Sequence, residues 1–142
     1  MPRIRQRIRH IIPRDNPPPQ IFLPAGGNDL EEHEPHLVIR EYDRLIKEVK
    51  RVAPSSHVVI GRIPYRHFNK TLHENIDKVN MFLENRAKRG DDVSYVDACP
   101  AFPFHYVKHD LVHFNRKGNE IFGTRVACEL INFQMNKLNN NR

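Results

Sequence analysis

The sequence predicts an α/β chain built on a parallel sheet with helices on its faces. Short β-branched or apolar runs alternate strictly with longer stretches in which apolar residues recur at helical spacing. Glycine, proline and asparagine punctuate the junctions. The 142 residues, 39% hydrophobic and 28% charged, suffice for one core and are too apolar for a disordered chain. No apolar run approaches the ~18–20 residues of a membrane helix, in keeping with a mean hydropathy of −0.66.

Ile21-Phe22-Leu23 is a short apolar strand that runs into Gly26-Gly27-Asn28-Asp29. Val38, Tyr42, Leu45, Val49 and Val52 then mark one face of a helix between Pro35 and Pro54. The opposite face carries Arg40, Glu41, Asp43, Arg44, Lys47 and Glu48. His57-Val58-Val59-Ile60-Gly61 is β-branched and predicts a buried strand. A second helix is expected near Asn69–Lys88, with Leu72, Ile76, Val79, Leu83 and Ala87 on its apolar side. Thr71-Leu72-His73-Glu74 has capping-box form, and Gly90 is a natural stop. Val93-Ser94-Tyr95-Val96 predicts the third strand. The last helix is expected from about Lys117 to Lys137, with Phe122, Val126, Leu130, Phe133 and Leu138 near one side. Residues 139–142 are expected to fray.

The net charge of +6 is unevenly placed. Residues 1–19 hold five arginines, Arg3, Arg5, Arg7, Arg9 and Arg14, against one acid, Asp15, so the body is near neutral. Arginine alternates with isoleucine or glutamine there, and Pro17-Pro18-Pro19 follows, which predicts an extended, solvated tail. A basic tail could bind nucleic-acid phosphates weakly through Arg3, Arg5, Arg7 and Arg9. The segment lacks the apolar core of a secretory signal, and an intracellular protein is expected. Cys99 and Cys128 do not form a disulfide framework and read as free thiols in a reducing compartment.

Ligands and catalysts in open parallel sheets gather beyond the carboxyl ends of the strands. Two clusters fall in such loops. Asp110-x-x-His113 can set a carboxylate beside an imidazole, as hydrolases do to orient a general base. On spacing alone, a structural Asp–His hydrogen bond is the commoner explanation. Gly26-x-Asn28-Asp29 could present an amide to an oxyanion with little side-chain hindrance, although by itself it is a turn. His105, His109 and His113 recur four apart, but Pro100 and Pro103 disfavour the helix that a metal site would need. No metal and no cofactor are expected.

In context the two clusters resemble one family. Ile21-Phe22-Leu23-Pro24-Ala25-Gly26-Gly27-Asn28-Asp29-Leu30 resembles the G-x-N-D block of the SGNH (GDSL-type) hydrolases. Asp110-Leu111-Val112-His113-Phe114-Asn115-Arg116-Lys117-Gly118 resembles their closing D-x-x-H-x-N-x-x-G block. The likeness covers about residues 20–135 and is nearest to animal esterase-like domains, some encoded by retroelements. It implies a three-layer α/β/α flavodoxin-like fold and hydrolysis of small esters by a Ser-His-Asp triad, without a cofactor. By match, His113 is the general base, Asp110 orients it, Asn28 is an oxyanion donor and Gly26 is the motif glycine of the oxyanion loop.

The nucleophile block is missing. The chain has three serines, Ser55, Ser56 and Ser94, and none lies in a G-D-S context. The resemblance therefore implies a domain lacking its N-terminal third, with only strands 3–5, residues 20–138 forming the partial domain and Ile21–Leu23 an exposed edge. Little or no serine-esterase turnover is expected. The alternative is a non-catalytic remnant or interaction module with a basic tail.

Overall fold

A computed structural model describes residues 1–66, 69–90, 92–99 and 106–140. The elements run α1 (Pro2–Ile11), β1 (Gln20–Leu23), α2 (Asp29–Glu32), α3 (Pro35–Val52), β2 (His57–Gly61), α4 (Lys70–Ala87), β3 (Val93–Val96) and α5 (Arg116–Asn140). The strands form a parallel sheet in the order β1-β2-β3, with Leu23 opposite Ile60 and Ile60 opposite Tyr95. This is the expected α/β architecture, and β1 stands at an edge of the sheet.

Strand pleating divides the core. Side chains alternate between faces, so Leu23, Val58, Ile60 and Val93 join Leu45, Val49, Ile76 and Leu83 of α3 and α4. Phe22, Val59 and Val96 face the other way, against Phe122, Val126 and Leu130 of α5. The sheet thus lies between α3 and α4 on one side and α5 on the other. Among the described residues, no helix is long and apolar enough to cross a membrane.

The helical faces of α3 and α4 follow the expected periodicity, with Val38, Tyr42, Leu45, Val49, Leu72, Ile76, Val79 and Leu83 all buried. The cap of α4 differs. Asn69, not Thr71, is the N-cap, and its Oδ1 accepts from the Leu72 amide at 3.0 Å. Asn69 stands three residues before the Leu72 amide, the spacing at which an N-cap side chain reaches a free backbone donor, and Thr71 already lies inside the helix. On α5, Leu138 is 58% exposed rather than buried, because the helix outruns the sheet that its earlier residues cover. Asn139 and Asn140 continue that helix, and Asn141 lies outside the described residues.

The head departs most from expectation. Residues 2–11 form a helix, where an extended solvated arm was expected, and α1 packs on α3. Met1, Ile8 and Ile12 are buried in the main core. The arginines fall on alternate positions and imitate a two-residue period, while the three apolar anchors keep the helical one. Arg9 Nε donates to Glu48 Oε1 at 2.8 Å, and Arg5 lies 3.6 Å from Glu41. Arg51 and Arg9 together hold the Glu48 carboxyl down at about 2. Two of the four guanidiniums expected to meet phosphates are thus turned onto acids of α3, and nothing in the fold supports a nucleic-acid surface there.

Candidate active site

The loop after β1 is fixed from behind by α3. The Tyr42 hydroxyl donates to the Ala25 carbonyl at 2.8 Å and lies 3.3 Å from the Ala25 amide. Burial pushes the Tyr42 phenol far above its ordinary range, so it stays a neutral donor. Gly26 follows with φ +95°, and a Cβ there would sit 2.9 Å from Ile63 Cδ1 and 3.1 Å from Tyr42 Cε2. Both the left-handed backbone and the close packing require glycine. The chain then enters α2, a four-residue turn of helix with Asn28 at its N-cap and Asp29 beneath the Met1 amino group.

The loop after β2 is held in the same manner by α4. The Asn80 side chain, 6% exposed, accepts from the Ile63 amide at 2.8 Å and donates to the Ile63 carbonyl at 2.9 Å. Both backbone groups are satisfied by one amide, which suits a buried site where an unmade hydrogen bond is costly. Arg62 Nη1 reaches Asp97 Oδ2 at 2.9 Å and ties the exits of β2 and β3.

His113 sits on a loop that holds itself. Val107 and Phe114 form an antiparallel bridge, and the Lys108 amide donates to the His113 carbonyl at 2.8 Å. Asn115 Oδ1 caps α5 by accepting from the Gly118 amide at 3.0 Å. A Cβ on Gly118 would lie 2.2 Å from the Tyr106 carbonyl oxygen, so only glycine lets α5 start this close to the loop. This supplies a structural reason for the asparagine and glycine in the D-x-x-H-x-N-x-x-G pattern.

Within the loop, Asp110 Oδ1 accepts from the amides of Val112 at 2.9 Å and His113 at 3.0 Å, and Oδ2 lies 2.9 Å from His113 Nδ1. Leu111 adopts φ +56° to curl the chain around the carboxylate. The His113 amide, the His113 ring and the Val112 amide hold the Asp110 carboxyl well below the ordinary carboxylate range. An ionised carboxylate only accepts, so Nδ1 carries the proton when the imidazole is neutral and Nε2 is left with its lone pair.

Gly26, Asn28 and His113 all line one cleft of about 850 Å³ beyond the carboxyl ends of β1 and β2. Its walls include Arg62, Arg66, Lys108, Phe114 and Phe122. Asp110 stands behind His113, outside that lining. Three of the four expected site residues therefore meet in one cleft, with the fourth bonded to one of them. Sequence reasoning missed Arg66, whose Nη1 donates to Asn28 Oδ1 at 2.7 Å from 38 residues away. Nothing local in the sequence signals such a pair.

The three serines lie elsewhere. Ser56 Oγ donates to the Pro18 carbonyl at 2.6 Å. Ser94 Oγ is 2.6 Å from His57 Nε2, and that imidazole stacks on Phe133 at 3.8 Å between ring centres. His57 opens β2, so this Ser–His pair is at the opposite end of the sheet from the cleft. Cys99 does not line the cleft either, and burial pushes its thiol up to about 12. Among the described residues, no cluster of three or more metal-ligating side chains occurs, and His105 lies outside them.

No family model matches the chain, and no curated protein matches it. Solved structures do. The family 3 carbohydrate esterase from Talaromyces cellulolyticus superposes with a TM-score of 0.76 at 19% identity, over 92% of this chain and 65% of that one. An acetyl esterase determined with an acetate ion gives 0.69 at 18% identity, over 82% and 58%. The Clostridium thermocellum family 3 carbohydrate esterase gives 0.66 at 19% identity, over 87% and 60%. The chain thus shares the α/β fold of these esterase structures. It spans 58–65% of the length of these three proteins.

Proposed function

We propose that the cleft is the base-and-oxyanion half of an ester-hydrolase site that takes small esters and their carboxylate products. One observation carries this reading: the Asp110-bonded His113 and Asn28 line the same cleft at the carboxyl end of a parallel sheet. His113 Nε2 is the base, Asp110 fixes its tautomer and stabilises the imidazolium, and the Asn28 amide donates to the oxyanion. Gly26 provides the turn that brings Asn28 forward. The likeness of these blocks to animal esterase-like domains, and the esterase names of the structural neighbours, favour the same substrate class.

None of the three serines lines the cleft, so no seryl acyl-enzyme forms by this reading. The remaining route is direct attack by water. His113 takes one water proton as the water oxygen bonds to the ester carbon, and Asn28 stabilises the carbonyl oxygen. The alkoxide then leaves with that proton, giving acid and alcohol. Without a covalent nucleophile, turnover is slow.

Acetate titration followed by NMR tests the reading. Saturable shifts of the His113 ring and the Asn28 side-chain amide are expected, together with weak p-nitrophenyl acetate hydrolysis that His113→Ala abolishes. An acetate titration that moves neither group overturns it. Stoichiometric labelling by a fluorophosphonate, lost in His113→Ala, overturns the nucleophile-free route.

A further inference from the structure

We infer that Arg66 is the positioning residue that fixes which end of the Asn28 amide meets the cleft. The inference rests on reading Asn28 as an oxyanion donor. A guanidinium has only N–H donors, so the Asn28 atom 2.7 Å from Arg66 Nη1 must be the amide oxygen. The cleft is then offered the NH2 group, which can only donate. An unrestrained asparagine turns over and presents its oxygen, which repels a developing oxyanion. Arg66 removes that orientation.

The support behind Arg66 is built in. The residue is 7% exposed, and Nη1 also lies 2.9 Å from Glu31 Oε1 on α2. Glu31 thus holds the guanidinium in a charge-assisted contact three residues beyond the asparagine it orients. Gly27 lets the guanidinium lie along the backbone: a Cβ there would be 3.2 Å from both Arg66 Cζ and Nη1. The middle residue of Gly26-Gly27-Asn28 therefore acquires a reason of its own. Gly26 makes the turn, and Gly27 leaves room for the residue that aims Asn28.

A buried cation also favours an anion through its charge alone, so the test separates aim from field. Methylphosphonate, a tetrahedral anion, is titrated into the full chain and followed at the side-chain amides. Loss of one hydrogen bond to a charged group corresponds to about a tenfold weakening. That loss is expected for Asn28→Ala and for Arg66→Met. In the Asn28→Ala background, Arg66→Met is expected to add less than about twofold, because the two residues act as one unit. Gly27→Ala keeps the cation but crowds it, and is expected to weaken binding severalfold, which carries the test if Arg66→Met does not fold. Equal losses from Arg66→Met in both backgrounds overturn the positioning role and leave only a field effect. Unchanged binding in Asn28→Ala removes the oxyanion reading itself and the inference with it.

Discussion

The two halves of the cleft are held by opposite means. The Gly26–Asn28 turn is aimed by buried groups from distant chain, with Tyr42 on Ala25 and Arg66 on Asn28, while Asn80 fixes the neighbouring Ile63 backbone. The Asp110–His113 loop is aimed by its own backbone, and its two side chains stay 48% and 68% exposed. The first half should therefore fail together with the core. The second should respond only to local changes, because the hydrogen bonds of the Asp110 carboxylate close within four residues.

The largest effect that would break this contrast is expected at Gly26. Gly26→Ala forces a left-handed alanine, costing ~1–2 kcal/mol, and presses a methyl onto Ile63 and Tyr42. Urea denaturation should show a total loss of about 2–4 kcal/mol once that overpacking is added. A loss below about 1 kcal/mol would mean that the turn is not set by the core. Tyr42→Phe comes next. It removes the hydroxyl that bonds the Ala25 carbonyl and should lower stability by about 1–2 kcal/mol, with the same denaturation as readout.

Leu111 sharpens the other side of the contrast. Its φ of +56° is costly for a side-chain-bearing residue. Leu111→Gly relieves that cost but loosens the unfolded chain, so the net change should stay within ~0.5 kcal/mol of zero. Leu111→Val, β-branched at a positive φ, should cost about 1 kcal/mol more than glycine. Both variants should leave the Asn28 side-chain resonances where they are. Movement there would show that the two halves are coupled.

The smallest effect concerns pH. The Asp110 carboxyl is lowered in the folded state, so its contribution to stability is present above the ordinary carboxylate range near ~4 and is lost as pH falls through the lower folded value. The carboxyl carbon of Asp110 should thus titrate well below that range by NMR. Between pH 7 and pH 5 the Asp110 carboxyl is largely ionised in both folded and unfolded chains, so thermal melting there should not move on its account.

The same division explains what could be read from the sequence. The three strands and the long helices were legible because burial stamps a period of two or 3.6 on neighbouring residues. The Asp110–His113 pair was legible because both partners fall within one turn of chain. Tyr42 could be placed on the apolar face of α3, but its hydroxyl partner, 17 residues away, could not. Asn80 sat inside a helical pattern with no polar signature, since its partners are backbone groups of Ile63. Arg66 is invisible for the same reason at a greater separation. The helix α1 was missed because its arginines fall on alternate positions and mask three apolar anchors.

The last helix outlasts the sheet it covers. Phe122, Val126 and Leu130 pack against the strands, the Gln20 side chain donates to the Leu130 carbonyl at 3.1 Å, and Phe133 stacks on His57. Beyond that point Met135 and Leu138 face solvent at 54% and 58% exposure. One continuous helix should therefore show a gradient of amide exchange with deuterium. Protection near Phe122–Leu130 should follow global unfolding and fall past Phe133 to that of a fraying end. A single stretch of backbone would then report, residue by residue, where cooperative folding stops.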